Sequence, residues 1–351
     1  MICLSFSVHG KNQVIICGKI NFMAIEKILK ELTPVKIENE INKVKNSNPS
    51  DEVVSWVKKY EKVGKRNPFI WNWLWEIFQI MKMPFNPINK HEKELLEVKV
   101  LITMFIVVLD DVADKGEDQL LLKELFKIPF DRDAIKKEHL NKEKKDFLFF
   151  ATSLWDQIIN KIERFPKYEE YKDIFEYDFL QTINAMRYSH LLSRNMFLIN
   201  LTESWTFSSY NMNIFVYSDL DLMCSKNINI KEVGELRPLI YEVQKMTRIG
   251  NWISTWEREV RENDFANGII AKAVEDNIVS IEEIKDKKNG DLIIRKIKDS
   301  KIEECFLQEW EDIYNKIKDI GKDINKQELT NLVLNALEET MTFHLSSKGY
   351  K

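Results

Sequence analysis

Three aspartates end an apolar run in the sequence FIVVLDDVADKGED (105–118). Asp110, Asp111 and Asp114 follow ten uncharged residues, 100–109. On a helix, residues i and i+4 share a face, so Asp110 and Asp114 would point the same way, with Asp111 about 100° round. Neighbouring carboxylates repel unless partners or divalent cations offset their charge, and Mg²⁺ prefers oxygen ligands together with phosphates. The motif fits a magnesium site, but a helix that simply becomes acidic where it reaches solvent would look the same.

A second set of oxygen donors lies in GNWISTWEREVREND (250–264). Asn251, Thr255 and Glu259 are spaced four residues apart and would form one stripe about 12 Å long on a helix. An amide, a hydroxyl and a carboxylate suit one Mg²⁺ that also takes phosphate oxygens and water, and Arg258 could bind phosphate. The alternative is the polar face of a surface helix. The flanking tryptophans and isoleucine argue against it, because they indicate a buried helix, where unsatisfied polar groups are costly.

The composition favours long helices. Glycine and proline are scarce, with 10 and 8 among 351 residues, against roughly 12 % in an average protein. Folds rich in tight turns need both residues, so a sandwich, barrel or propeller is disfavoured. The hydrophobic share of 44 % supplies a large core, and the charged share of 31 % suits amphipathic helices with solvated outer faces.

Charge and residue spacing exclude several partners. The chain has 52 basic and 56 acidic residues, interleaved, for a net charge of −4, so nucleic acid binding is not expected. Four scattered cysteines and five histidines show neither disulfide nor zinc spacing. The longest apolar run has ten residues, about half a membrane span. We therefore expect no membrane span and a cytoplasmic location; a homodimer is compatible with the sequence.

The pattern of apolar residues predicts one all-α domain over 23–351, after an N-terminal extension at 1–22 with no helical period. The segment at 67–83 is apolar nearly all round, which is typical of a buried helix. FDRD (130–133) is expected to cap a helix that runs towards 165, and 268–299 is the most polar segment. Further helices are predicted at 91–114, 169–196, 203–225, 230–263, 280–288 and 300–347.

Together the two motifs resemble those of class I terpene synthases, most closely the bacterial type. That family carries DDxxD or a variant at the end of one helix and (N/D)xxx(S/T)xxxE on a facing helix. Here they read DDVAD (110–114) and NWISTWERE (251–259), 141 residues apart. The resemblance covers roughly 25–350, and the 39 aromatic residues of the chain are in keeping with it.

The resemblance implies an α-helical bundle around an apolar cavity, with a linear prenyl diphosphate as substrate. It implies three Mg²⁺ ions, for which Mn²⁺ is expected to substitute. Asp110 would be the main ligand, assisted by Asp111 or Asp114. The second motif, Asn251, Thr255 and Glu259, would hold a further ion, and Arg258 would contact the diphosphate. Loss of diphosphate would leave an allylic carbocation that cyclises to a di- or sesquiterpene, with a slight preference for the diterpene.

Aromatic and aliphatic side chains would line the pocket, where aromatic rings stabilise a passing cation by roughly 2 kcal/mol or more once water is excluded. Aromatic residues also fill ordinary cores, so each candidate has that alternative. The candidates are Trp75, Phe78, Val107, Phe149, Tyr217 and Phe343.

The chain departs from the family pattern in two places. The family's C-terminal Arg-Tyr pair corresponds to FHLSSKGYK (343–351), where Tyr350 fits but Gly349 replaces the arginine, leaving Lys348 as a substitute. The family's diphosphate-sensing arginine is absent from ESWTFSSYNMN (203–213), so Arg187 or Arg194 upstream would have to serve.

Three other functions are less compatible with the motifs. A chain-elongating prenyl transferase, like squalene- or phytoene-type synthases, needs a second acidic motif, and SDLDLM (218–223) is not one. A protonation-initiated cyclase needs DxDD, which the same segment lacks. A catalytically inactive all-α binding or scaffold protein would require both stripes to arise by chance at the family's spacing.

Overall fold

Helices make up almost all regular structure in this computed structural model, which describes residues 23–81, 89–113, 118–324 and 326–350. Within those ranges there are 16 α-helices and no β-strand. The predicted all-α fold is confirmed. The N-terminal extension predicted at 1–22 lies outside the described residues.

Short 3-10 turns and loops connect the helices, and several helices begin at side-chain caps such as Ser50, whose Oγ accepts a bond from the Val53 amide. The helices are α1 (Met23–Glu31), α2 (Pro34–Lys45), α3 (Asp51–Tyr60), α4 (Phe69–Ile80), α5 (Glu92–Ala113), α6 (Gln119–Leu125), α7 (Lys142–Ile162), α8 (Tyr168–Arg194), α9 (Leu201–Thr206), α10 (Ile214–Cys224), α11 (Val233–Glu262), α12 (Gly268–Glu275), α13 (Ile281–Lys285), α14 (Gly290–Ser300), α15 (Ile302–Asp323) and α16 (Gln327–Ser346).

Two long helices form the centre of the fold. α5 packs against α3, α4, α6, α7 and α8, and its apolar run 100–109 is buried except for the half-buried Thr103. α11 packs against α10, α12, α14, α15 and α16. The run 100–109 has no polar face, so it is buried on all sides. Both motif-bearing helices are therefore held firmly by neighbours.

Several predicted boundaries were wrong for local reasons. The helix expected from 130–133 starts only at Lys142, where the Asn141 side chain caps it. The segment 203–225 is broken by Asn213, whose left-handed backbone (φ 57°) ends a 3-10 turn before α10 begins. The polar segment 268–299 contains α12, which is largely buried.

The stretch 300–347 is two helices, α15 and α16, which cross closely at Gly321. A Cβ there would lie 2.3 Å from the Thr330 hydroxyl, so the crossing requires glycine. None of the described helices has an apolar stretch long enough to cross a membrane.

Candidate active site

A cavity of about 570 Å³ lies between α4, α5, α10 and α11, a size typical of small-molecule sites. From α5 it is lined by Thr103, Ile106, Val107, Asp110 and Asp111, which follow the helical spacing of one face. The two aspartates lie seven and eight residues beyond Thr103 along the helix, or about 10 Å at 1.5 Å per residue. The acidic motif thus stands at one end of the cavity.

The second motif faces the same cavity from α11. Asn251, Thr255, Arg258 and Glu259 all line it, at spacings that place them along one side of that helix. The two motifs begin 141 positions apart in the sequence, and the fold brings their described residues to one chamber. Asp114 lies outside the described residues.

The two aspartates are bound by Arg66, from the segment between α3 and α4. Its Nε lies 2.7 Å from Oδ1 of Asp111, and its Nη2 lies 2.8 Å from Oδ2 of Asp110. The hydroxyl of Tyr60 donates to Oδ2 of Asp111 at 2.6 Å. Burial and the charge of Asp111 raise the pKa of Tyr60, so this phenol stays protonated. Both oxygens of Asp111 are engaged by this chain's own donors.

Hydrogen bonds within α11 orient the second set of donors. The Thr255 hydroxyl donates to the Asn251 backbone carbonyl at 2.8 Å, which leaves the lone pairs of that hydroxyl oxygen as acceptors. The Arg248 guanidinium donates to Oδ1 of Asn251 at 3.0 Å. Oδ1 of Asn251 therefore points towards the Arg248 guanidinium.

Glu259 is held from the loop that follows α11. That helix ends at Asn263 in a left-handed conformation (φ 61°), and the returning chain brings the Asn267 amide within 2.7 Å of Oε2 of Glu259. Asp264 also lines the cavity. Burial and the nearby charges of Glu259 and Asp110 raise the pKa of Asp264 to about 7. Carboxylates from α5 and α11 thus line the same region of the cavity.

The donor set fits a hard divalent cation. It offers carboxylate, amide and hydroxyl oxygens, which are the ligands that such ions prefer. Among the described residues, however, no three of His, Cys, Asp and Glu approach closely enough to hold a metal by themselves. Mixed protein donors and phosphate oxygens would have to complete the coordination, as Mg²⁺ commonly permits.

The remaining walls are mostly apolar. α4 contributes a helical stripe that includes Trp73, Leu74, Ile77 and Phe78. The Phe78 and Tyr217 rings meet edge to face with centroids 4.8 Å apart. The Tyr217 hydroxyl lies 2.6 Å from that of Thr103, which itself donates to a backbone carbonyl. Tyr217 must therefore donate to Thr103.

Three predicted pocket residues lie elsewhere. Phe149 is 73 % exposed on the outer face of α7, so its prediction was wrong. Trp75 falls between the two cavity-facing turns of α4 and is half-buried against the core instead. Phe343 is buried behind the cavity wall, stacked on Trp73 with centroids 5.3 Å apart. Phe78, Val107 and Tyr217 do line the cavity.

The predicted diphosphate ligands outside α11 also lie away from the cavity lining. Lys348 pairs with Glu303 at 2.7 Å. Tyr350 is 48 % exposed and packs against Phe69. Arg187 is exposed and its guanidinium lies over the Phe126 ring. These orientations depend on tertiary packing, which the sequence pattern of each segment does not reveal.

Sequence reasoning missed several lining residues. Lys65 and Arg66 face the cavity, but they lie in a short non-helical segment 44 residues before Asp110, where no periodic pattern exists. Arg248 and His344 also line it. The spacing of Arg248, three residues before Asn251 on the same helix, was a usable signal.

The acids of the segment at 218–223 have other partners. Asp221 forms a buried ion pair with Lys99 at 2.7 Å, and Asp219 lies beside Asp178 and Arg237. Neither lines the cavity. The sequence-based conclusion that this segment is not a second metal motif agrees with those contacts.

No known protein family and no curated protein matches this chain in sequence. In structure it is similar to isoprene synthase from grey poplar leaves (Populus x canescens), with a TM-score of 0.54 and 14 % identity. The similarity covers 88 % of this chain and 53 % of that one, so this chain spans about half the length of the plant protein. This likeness establishes a terpene synthase fold and gives no particular support to the bacterial type.

Proposed function

We propose that this chain is a Mg²⁺-dependent terpene cyclase that ionises farnesyl or geranylgeranyl diphosphate and cyclises the resulting carbocation. The proposal treats 23–351 as one synthase domain. Its main support is that Asp110 and Asp111 share one largely apolar cavity with Asn251, Thr255 and Glu259, within a terpene synthase fold. Fold alone does not fix activity, so the shared cavity carries the argument.

The roles of the chain's own residues follow from the two ends of the cavity. Asp110, Asp111, Asn251, Thr255 and Glu259 would hold the metal ions at the polar end. When bound, Mg²⁺ would neutralise the negative charge that develops on the departing diphosphate.

Arg258, beside those ligands, would contact the diphosphate with its forked guanidinium. The apolar end would keep water from the carbocation, and the rings of Phe78 and Tyr217 would stabilise its charge.

The direct test is incubation with geranyl, farnesyl and geranylgeranyl diphosphate, with Mg²⁺ or with EDTA, followed by hexane extraction. Cyclic hydrocarbons or alcohols that require Mg²⁺ are expected. We expect Asp110→Asn and Asn251→Ala each to lower turnover on the order of 100-fold. Asn184→Ala, on the exposed face of α8, is the matched control and should retain activity. Full activity in either site variant would contradict the proposal.

A chain-elongating prenyl transferase is the second candidate, because it would share the fold and the metal. Longer prenyl diphosphates that form only with added isopentenyl diphosphate would identify it. Absence of turnover with any prenyl diphosphate would favour a binding or scaffold protein.

A further inference from the structure

Arg66 occupies the oxygens that the proposed function assigns to a metal ion. One planar guanidinium bridges Asp110 and Asp111 at 2.8 and 2.7 Å. All three side chains are only 15–26 % exposed, so water screens the contact weakly. Tyr60 donates to the remaining oxygen of Asp111, so both oxygens of this carboxylate already accept hydrogen bonds.

A guanidinium in this position opposes a second cation. Like charges a few ångströms apart repel, so a metal ion that approaches Asp110 and Asp111 must displace Arg66. Arginine stays protonated in proteins, so the guanidinium is not released by losing its own proton. Only an anion that offers a comparable forked partner would draw the guanidinium away, and a phosphate does so.

The setting of Arg66 allows that exchange. Its backbone is anchored by Tyr60, whose hydroxyl accepts from the Arg66 amide at 3.3 Å and whose ring packs against Gly64 so closely that a Cβ there would lie 2.1 Å from it. Arg66 nevertheless lines the cavity beside Lys65. Turning the side chain from the aspartates towards an anion in the chamber would leave this backbone anchor in place.

Resting on the proposed function, we infer that Arg66 couples metal binding to diphosphate binding. In the empty site it neutralises Asp110 and Asp111 and keeps metal affinity low. When a diphosphate group enters, the guanidinium transfers to the phosphate oxygens and frees both carboxylates. By linkage, each ligand then strengthens the binding of the other by the same factor.

The test measures binding of Mn²⁺ by electron paramagnetic resonance, with and without inorganic pyrophosphate. Couplings of this kind are usually 5- to 150-fold. Without pyrophosphate, Arg66→Gln should bind Mn²⁺ about tenfold more tightly than the wild type. Pyrophosphate should strengthen Mn²⁺ binding in the wild type and much less in Arg66→Gln.

Lys62→Gln is the matched control, because it removes one positive charge from the same segment at an exposed position outside the cavity lining. It should behave like the wild type. Equal Mn²⁺ affinity of the wild type and Arg66→Gln, or an unchanged effect of pyrophosphate, would overturn the inference. If Arg66→Gln does not fold, Tyr60→Phe replaces it. The loss of one donor to Asp111 should also raise Mn²⁺ affinity, and no change would count against the inference.

The two proposals fail differently. If Mn²⁺ binding is unchanged in Asp110→Asn, the metal site on which the proposed function depends is wrong. If only the role of Arg66 is wrong, Mn²⁺ binding will depend on Asp110 but not on Arg66.

Discussion

Asp219→Asn should make the protein more stable at neutral pH. Asp219 is 1 % exposed and lies against Asp178, which accepts two 2.7 Å hydrogen bonds from Arg237. Burial, and then the charge of Asp178, raise the pKa of Asp219 well above its ordinary value of 3.8. Burial therefore favours the protonated, uncharged form of this carboxyl, which can donate to Asp178.

The sign of the effect follows from proton linkage. Above pH 4 the unfolded chain releases the Asp219 proton while the folded chain retains it, so the free energy of unfolding falls as pH rises. The loss is about 1.4 kcal/mol per pH unit until the folded pKa is reached. An asparagine keeps the donor to Asp178 and has no proton to retain, so at pH 7 it should add more than about 1 kcal/mol.

Urea unfolding of both proteins between pH 5 and pH 8 measures this difference. The gap between Asp219→Asn and the wild type should widen as pH rises. Asp221→Asn is the matched control, two residues on in the same helix. It breaks a pair with Lys99 in which both side chains are 3 % exposed and should cost about 3–5 kcal/mol. If Asp219→Asn destabilises the protein at every pH, Asp219 is ionised in the fold and the reasoning is refuted.

Two further predictions concern the cavity. Gly64→Ala would force the Tyr60 ring away from a Cβ at 2.1 Å, so we expect about 1–3 kcal/mol lower stability and reduced turnover. Gly234→Ala is the control, because no other side chain lies within 4 Å of a Cβ at that position; it should be neutral or stabilising by up to about 1 kcal/mol. Thermal unfolding compares the two variants, and equal effects would contradict the close contact at Gly64. Tyr217→Ala should change the mixture of products, analysed by gas chromatography, more than substrate consumption. Phe343→Leu, behind Trp73, should change it much less, and an unchanged mixture in Tyr217→Ala would remove Tyr217 from the pocket.

Helical periodicity was enough to predict the fold and the two motif-bearing helices. Spacing along α5 and α11 also indicated which of their residues share a face, because that depends only on the helical repeat. It could not place side chains from separate segments. Arg66 reaches Asp110 and Asp111 from a loop, and the exposure of Phe149 depends on which face of α7 meets the core. Both are properties of tertiary packing, which a single sequence does not display.

The distance between the acidic motif and the hydroxyl pair of Thr103 and Tyr217 has a consequence for any long substrate. The stretch of α5 that lines the chamber from Thr103 to Asp110 rises about 10 Å, which is less than the length of a fully extended farnesyl chain. A molecule anchored by its phosphates at the mouth would have to coil back on itself, and its distal double bond would approach the first carbon. The shape of the cavity would then favour ring closure, because it would hold the two reacting carbons close together.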